Sequence, residues 1–588
     1  METGSRSPFE TIASLAQTQV MSLGSELERQ AIALRDQAAI IFEDRTVTFG
    51  ELNALANRYA NHFKSLGLKK GEVVALLMEN RPEFLIAASG LSKLGVIVSL
   101  INNGVRREVL AHALNICDAK MLIVGHELME PFLEIREQVH LKEPGLIFAE
   151  NEDRNIPVPE GIIDLKPLLA AASEQNPPET TAVTSDDVIV YIYTSGTTGF
   201  PKACAVTQKR WLILGNLSEI VCRMTPQSIQ YMVLPLYHNS GFDIGYSATV
   251  ISGATMILRR KFSARSFWSE VRKHQVDVFI YVGELCRYIY NQPAQPDDAD
   301  NPLKTVIGNG MRGDLMVPFR ERFGIETLIE IYGATEGVGS FLNLAGIPGM
   351  CGNLSMLGRR QGEIIKFDLD TDEIIKDENG YAVKCSTGET GLLVCEVNDL
   401  NVFAGYVNNP QATDEKLMHN VLREGDCYFN SGDLVCLADE DYFSFVDRMG
   451  DTFRWKSENV STTQVSNLVN QFGQMEDVNI YGVQVPGMEG RCGMAAIKLL
   501  DGETLDWAKL GAFVCEKLPS YARPYFVRLR DTIDATNSFK QMKTQLQKEG
   551  FDPTTIKDPL YFLDPDQNVY VDLTPERYAR IIDHTIKF

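Results

Sequence analysis

From Thr48 to Val124 the chain alternates between two periodicities, and that alternation leaves few folds open. Thr48 and Glu51 spell a capping box, and Leu52, Leu55, Ala56 and Tyr59 then recur at helical spacing. Residues 73–77 are an apolar, β-branched run of strand character. Residues 82–94 read as helix, 96–100 as strand, 106–116 as helix and 121–124 as strand. Strands separated by helices pair in parallel, because each helix carries the chain back across the sheet. The expected class is α/β, with doubly wound sheets that bind ligands beyond the carboxyl ends of their strands. At 588 residues the chain exceeds one core, so a further domain is expected.

A strand-like run, residues 188–193, breaks into Thr194, Ser195, Gly196, Thr197, Thr198, Gly199, Phe200, Pro201 and Lys202. Glycines let backbone N–H groups converge on an anion, the hydroxyls add donors, and Lys202 adds a mobile charge. Such a loop suits a polyphosphate. It is not a Walker loop. Counted from Gly196, the second Gly and the Ser/Thr of that pattern would fall at Pro201 and Ala203.

A second segment, residues 329–337, runs from a strand into Tyr332, Gly333, Thr335 and Glu336. An aromatic can lie on a base, a hydroxyl can reach a phosphate, and a carboxylate can hold Mg²⁺. The blander reading is a strand end with an exposed acid. Gly308, Gly310 and Gly313 form a literal GxGxxG, but the strand before it is short and nothing else points to a nicotinamide. His238 follows an apolar run and reads equally as a core histidine or as a lid over a second substrate. Asp433 alone reads as a turn residue, and Arg448 further on could join it against two ribose hydroxyls.

These segments resemble the adenylate-forming superfamily, which contains acyl-CoA synthetases, luciferases and peptide-synthetase adenylation domains. The pattern Thr-Ser-Gly-Thr-Thr-Gly-x-Pro-Lys at 194–202 carries most of that resemblance. It implies ATP, Mg²⁺ and a carboxylic acid joined as an acyl-adenylate, with residues 194–199 and Lys202 on the phosphates. It places Gly310 and Tyr332 with Gly333 at the adenine and acyl site, and Thr335 and Glu336 at phosphate and metal. It gives Asp433 and Arg448 the ribose and tips His238 towards the acyl site. Residues 445–456, ending in Trp455 and Lys456, match the join between a large N-terminal domain and a small mobile α+β one. By that match the domains are 1–449 and 450–588, with the hinge at Gly450. Residues 536–543 match the loop of the adenylation lysine, assigned to Lys540 with Lys543 as the alternative.

Strings at 281–288, 308–310, 447–456 and 548–553 resemble the fatty acid transport protein and very-long-chain acyl-CoA synthetase branch. That branch implies a long-chain fatty acid and transfer of its acyl group to CoA. A separate carrier protein as acceptor, or a fatty-acid binding or uptake protein without catalysis, are the alternatives. Ser457 stands where the branch has Gly, in a loop implied to line the pantetheine path, which puts the CoA step in question, and Asn537 replaces the usual Gly before the assigned lysine.

Net charge is −22, which disfavours nucleic acid and anionic membrane surfaces as main partners. Eleven cysteines without CxxC pairs read as reduced thiols, not a zinc site. No basic n-region precedes an apolar core, and no window reaches the about 18 apolar residues of a spanning helix. The nearest, 84–101, contains Lys93 and reads as helix, turn and strand. A cytoplasmic protein, with peripheral membrane contact left open, is the expectation. Oligomeric state is not legible.

Overall fold

The computed structural model describes residues 21–586 except 153–155, 195–199, 356–359, 369–370, 372, 399–400, 450, 457, 489 and 533–542. The chain forms two compact units. One comprises Met1–Gly362 with Cys395–Phe429, the other Glu363–Val394 with Asn430–Phe588. The boundary expected at 449/450 falls inside the second.

The first unit holds two sheets. In the seven-stranded one, Val73–Leu77, Ile97–Leu100, Met121–Gly125, Leu146–Glu150 and Val188–Thr194 run parallel. Lys202–Thr207 closes that edge antiparallel to Val188–Thr194. The helices lie where the spacing predicts. Phe49–Ser65 starts at Thr48, whose hydroxyl accepts from the Glu51 N–H while the Glu51 carboxylate accepts from the Thr48 N–H. Pro82–Lys93 and Ile97–Leu100 occupy the apolar window 84–101. Lys93 is tolerated there because its ammonium donates to Glu28 at 2.8 Å and Asn53 at 2.7 Å.

The eight-stranded sheet has a parallel centre: Thr255–Leu258, Ile229–Met232, Val278–Val282, Thr305–Asn309 and Thr327–Gly333. Ser340–Asn343 ends one edge antiparallel. The other edge is the hairpin Ala38–Phe42 with Arg45–Thr48, although residues 1 to about 45 read along the sequence as a lead-in and a first helix. Residues 151–178, whose Pro, Glu and Asn content reads along the sequence as a surface connection, also contain more order. Asp164 caps a helix, Leu165–Ala171, by accepting from the Lys166 N–H at 3.1 Å, and buried Leu165 anchors it.

The second unit is α+β. Its five-stranded sheet runs Met475–Val483, Cys492–Leu499, Pro524–Leu529, Leu560–Asp564, Val569–Asp572, with one parallel pair among antiparallel ones. Helices Thr462–Asn470, Trp507–Lys517 and Pro575–Ile582 belong to the same unit. Its core includes Ile480, Ala495, Leu510, Val514 and Phe526. All eleven cysteines are free thiols.

Candidate active site

Four adjacent strands of the eight-stranded sheet bring one group of the expected residues, Tyr332, Gly333, Thr335, Glu336, Gly310 and His238, to one edge. Thr327–Gly333, Thr305–Asn309, Val278–Val282 and Ile229–Met232 are neighbours in that order and parallel. Beyond their carboxyl ends follow, respectively, Thr335 and Glu336, Gly310, Gly283 and His238. A parallel sheet leaves its binding crevice on that side.

The turn after Thr305–Asn309 is shaped by a buried acid. Glu330 accepts from the Gly310 N–H at 2.9 Å, the Met311 N–H at 3.1 Å and the Tyr281 hydroxyl. Burial pushes the Glu330 carboxyl up to about 8, against those hydrogen bonds. Gly310 has φ +79°, a left-handed conformation that side chains disfavour. A Cβ on Gly283 would sit 1.9 Å from the Gly310 carbonyl oxygen, so the neighbouring strand must also end in glycine. A Cβ on Gly308 would lie 2.0 Å from the Tyr281 carbonyl oxygen and one on Gly313 2.8 Å from the Gly349 backbone, so backbone packing accounts for the GxGxxG spelling. Tyr332 is half-buried, its ring 6.0 Å from Phe341 across the hairpin, and Gly333 opposite Ser340 is exposed.

The hairpin of the seven-stranded sheet brings the ends of the first motif together: Thr194 and Lys202 are register partners. Ser195, Gly196, Thr197, Thr198 and Gly199 lie outside the described residues. Lys202 joins the second motif through a residue the sequence did not reveal. Its ammonium lies 5.1 Å from the ring centre of Tyr406, whose hydroxyl donates to Glu336 Oε1 at 2.5 Å. Burial, then the Glu336 charge, holds the Tyr406 phenol far above its ordinary pKa. Tyr406 is placed by its neighbours, for the Val407 N–H donates to the Ala203 carbonyl at 2.8 Å and Tyr406 bridges Cys204. The Cys204 thiol points its Sγ at the Thr335 carbonyl, 3.6 Å away.

Arg210, also unread in the sequence, reaches the same loop. Its guanidinium donates to the Thr335 carbonyl and, at 2.7 Å, to Asn239 Oδ1. Asn239 follows His238, which is half-buried at the start of a π-helical segment, Ser240–Tyr246. The His238 carbonyl accepts from Gly241 and Phe242 N–H groups, both at 3.0 Å. His238 is thus partly exposed and not a core histidine.

In the second unit Asp433 and Arg448 are register partners on antiparallel strands, 3.6 Å apart as an ion pair. Next to them Asp447 is buried and accepts from the Thr462 N–H at 2.7 Å and the Arg448 N–H at 3.0 Å. Trp455, expected among cofactor-binding residues, is 1% exposed in the core of this unit. Strand alternation turns Phe453 and Trp455 in and Arg454 out. Lys456 is exposed with φ +54°, its ammonium 5.5 Å from the Tyr525 ring centre. Lys540, Gly450, Ser457 and Asn537 lie outside the described residues. Lys543 is held by Thr462 Oγ1 at 2.5 Å and Asp451 at 3.3 Å.

Among the described residues no helix is long and apolar enough to cross a membrane. The family pattern described as AMP-binding enzyme matches residues 27–407. A long-chain fatty acid transport protein 2 from Rattus norvegicus is 40% identical over 93% of this chain and 88% of its own. A medium/long-chain-fatty-acid–CoA ligase from Mycobacterium tuberculosis is 37% identical over 94% of this chain and 89% of its own. The crystal structure of an anthranilate CoA ligase in complex with anthranoyl-AMP has the same fold, with TM-score 0.75 at 19% identity, covering 90% of this chain and 97% of that one.

Proposed function

The chain belongs to the AMP-binding enzyme family, in its fatty acid transport protein and acyl-CoA synthetase branch, and from that premise we propose that it is an AMP-forming acyl-CoA synthetase for long-chain fatty acids. The observation that carries this reading is the shared carboxyl edge. There Glu336 and Thr335, the Gly310 turn and His238 leave neighbouring strands, and Tyr406 links Glu336 to Lys202.

The reaction has two steps. A carboxylate oxygen of the fatty acid attacks the α-phosphorus of ATP, the α–β P–O bond breaks, and pyrophosphate leaves. The CoA sulfur, its proton lost to solvent, then attacks the acyl carbonyl, and AMP leaves. Lys202 and the hydroxyls from Thr194 to Thr198 neutralise and grip the phosphates. Tyr332 packs on the adenine, Asp433 and Arg448 take the ribose, and Lys456 joins the nucleotide contacts. Lys540 bridges the attacking carboxylate and the α-phosphate, stabilising charge that is greatest in the transition state. Gly450 supplies the rotation that withdraws Lys540 between steps. His238, at the start of the π-helical segment, shields the acyl carbonyl from water.

The residues present suit Mg²⁺. Glu336, next to Thr335 in the chain, offers a hard oxygen, and among the described residues no three His, Cys, Asp or Glu side chains are grouped so as to hold a metal ion. One carboxylate completed by substrate oxygens is a usual way of holding that ion. When bound, it supplies positive charge against the phosphate oxygens.

The test is incubation of the full chain with Mg·ATP and a fatty-acid chain-length series, with CoA added second. Fatty-acid-dependent pyrophosphate followed by thioester and AMP is expected. Pyrophosphate without thioester overturns CoA as acceptor, and no pyrophosphate with any acid overturns adenylation. Lys540→Ala should slow the first step by about 10²–10³-fold. An undiminished rate removes Lys540 from it.

A further inference from the structure

Arg210 sits under the loop that carries Thr335 and Glu336. It is the third residue of helix Gln208–Cys222, whose start is fixed by the Thr207 hydroxyl accepting from the Arg210 N–H at 3.3 Å. Besides the Thr335 carbonyl and Asn239, its guanidinium faces Asp243 Oδ2 at 3.5 Å. The loop is shaped to fit it. Gly337 has φ +82°, and a Cβ there would lie 2.6 Å from Arg210 Nη1.

Asp243 is 0% exposed, inside the π-helical segment, and neither carboxylate oxygen has a hydrogen-bond partner among the described residues. Burying a charge without hydrogen bonds is costly, and π-helical turns gather at functional sites. The groups that act on Asp243 are few. Burial pushes it up to about 6 and Arg210 opposes that. Cys204 also feels it, but that thiol is pushed up to about 12 and stays neutral. Asp243 therefore faces one cation, and that cation holds the reacting loop by its backbone.

We propose that Arg210 and Asp243 are a positioning pair: Arg210 fixes the Thr335 carbonyl relative to the His238 turn, and Asp243 holds Arg210 in the geometry that does so. Neither group touches the reacting atoms. A guanidinium that donates to two oxygens while facing a carboxylate is pinned in direction as well as place, which a lysine cannot reproduce. The inference rests on the assignment of Thr335 and Glu336 made above.

The experiment uses the full chain and the variants Arg210→Gln, Arg210→Lys, Asp243→Asn and Asn239→Ala. The first readout is deuterium exchange of the amides in residues 333–340, with melting temperature as the control for global folding. Arg210→Gln should speed that exchange by at least about tenfold, the scale of one lost charge-assisted hydrogen bond. Arg210→Lys should be intermediate. Asn239→Ala carries the same test if the arginine variants do not fold. The second readout is the adenylation step with palmitate. Arg210→Gln should lower kcat by about 10–100-fold, as misplacement does, while KM for the acid changes little. The third is its pH profile. Protonation near 6 weakens the hold on Arg210, so the wild type should lose rate as pH falls through that value, and Asp243→Asn should flatten that limb. Loop exchange in Arg210→Gln equal to wild type, or an acid limb unchanged in Asp243→Asn, overturns the proposal. If the wild type makes no adenylate, the proposed function falls, and the exchange readout still decides whether Arg210 holds the loop.

Discussion

Tyr406 sets how Glu336 is presented. Its hydroxyl donates to the carboxylate at 2.5 Å, while the Lys202 ammonium stands 5.1 Å from its ring centre. Tyr406→Phe keeps the ring and removes only the donor. We expect adenylation kcat/KM to fall by about 10-fold or more, the scale of a hydrogen bond to a charged group. A rate equal to wild type in pyrophosphate release would show that the hydroxyl does not orient Glu336. Glu330 gives a prediction in pH. Its carboxyl is raised from the ordinary 4.5 to about 8 in the folded chain, so the folded state binds that proton more tightly than the unfolded one. The corresponding stability is fully present below 4.5 and is lost as pH rises to about 8. Glu330→Gln should remove that decline, bringing variant and wild-type melting temperatures closer as pH rises, or reversing their order. A melting difference constant from pH 5 to 9 would contradict the assignment. None of this was legible along the chain. Tyr406 lies 70 residues from Glu336 and Arg210 lies 125 from Thr335, so each contact exists only after strands from separate segments meet.

The elements themselves were more legible, for local reasons. The Thr48–Glu51 cap and the alternation from 73 to 124 place helices and strands within a residue or two of where they fall, because propensity and burial agree there. The hairpin Ala38–Phe42 with Arg45–Thr48 was missed. Its first strand pairs with Thr255–Leu258, and nothing near residue 40 announces a partner that distant. The segments before Thr335 and Gly310 read as strands and the one before His238 only as an apolar run, and the order of the strands in the sheet was not legible at all. That order is what gathers Thr335, Gly310, Gly283 and His238. Close approach between two of these strand ends carries a prediction. In Gly283→Ala the new Cβ would lie 1.9 Å from the Gly310 carbonyl oxygen, so the backbone must move. The loss should be about 1–3 kcal/mol in urea unfolding, with a lowered adenylation rate because the turn shifts. Wild-type stability and rate together would show that the two strand ends can separate without cost.

For the molecule as a whole, −22 is a large surplus of negative charge, and the larger unit keeps some of it inside. Arg81, 0% exposed, faces Glu83 at 3.3 Å, Glu127 at 3.4 Å and Glu150, and Arg45 pairs with Glu83. Three of these groups stand just past the ends of strands Val73–Leu77 and Met121–Gly125 and at the end of Leu146–Glu150. That part of the seven-stranded edge carries a cluster of buried ion pairs. Arg81→Ala would leave the buried Glu150 carboxylate without its cation and should cost about 3–5 kcal/mol. If unfolding shows separate transitions, only that of the larger unit should move. An unshifted transition would mean that water reaches these acids and replaces the guanidinium.

The row of strand ends on the other sheet has a metric consequence. From the strand before Glu336 to the strand before His238 there are three interstrand spacings, about 14 Å. Backbone pairing fixes that span, and no side chain can stretch it. Under the proposed function, residue changes in the segment after His238 should therefore alter which acid is admitted while the reach from its head to the triphosphate stays constant, as on a ruler whose marks are cut at one end only.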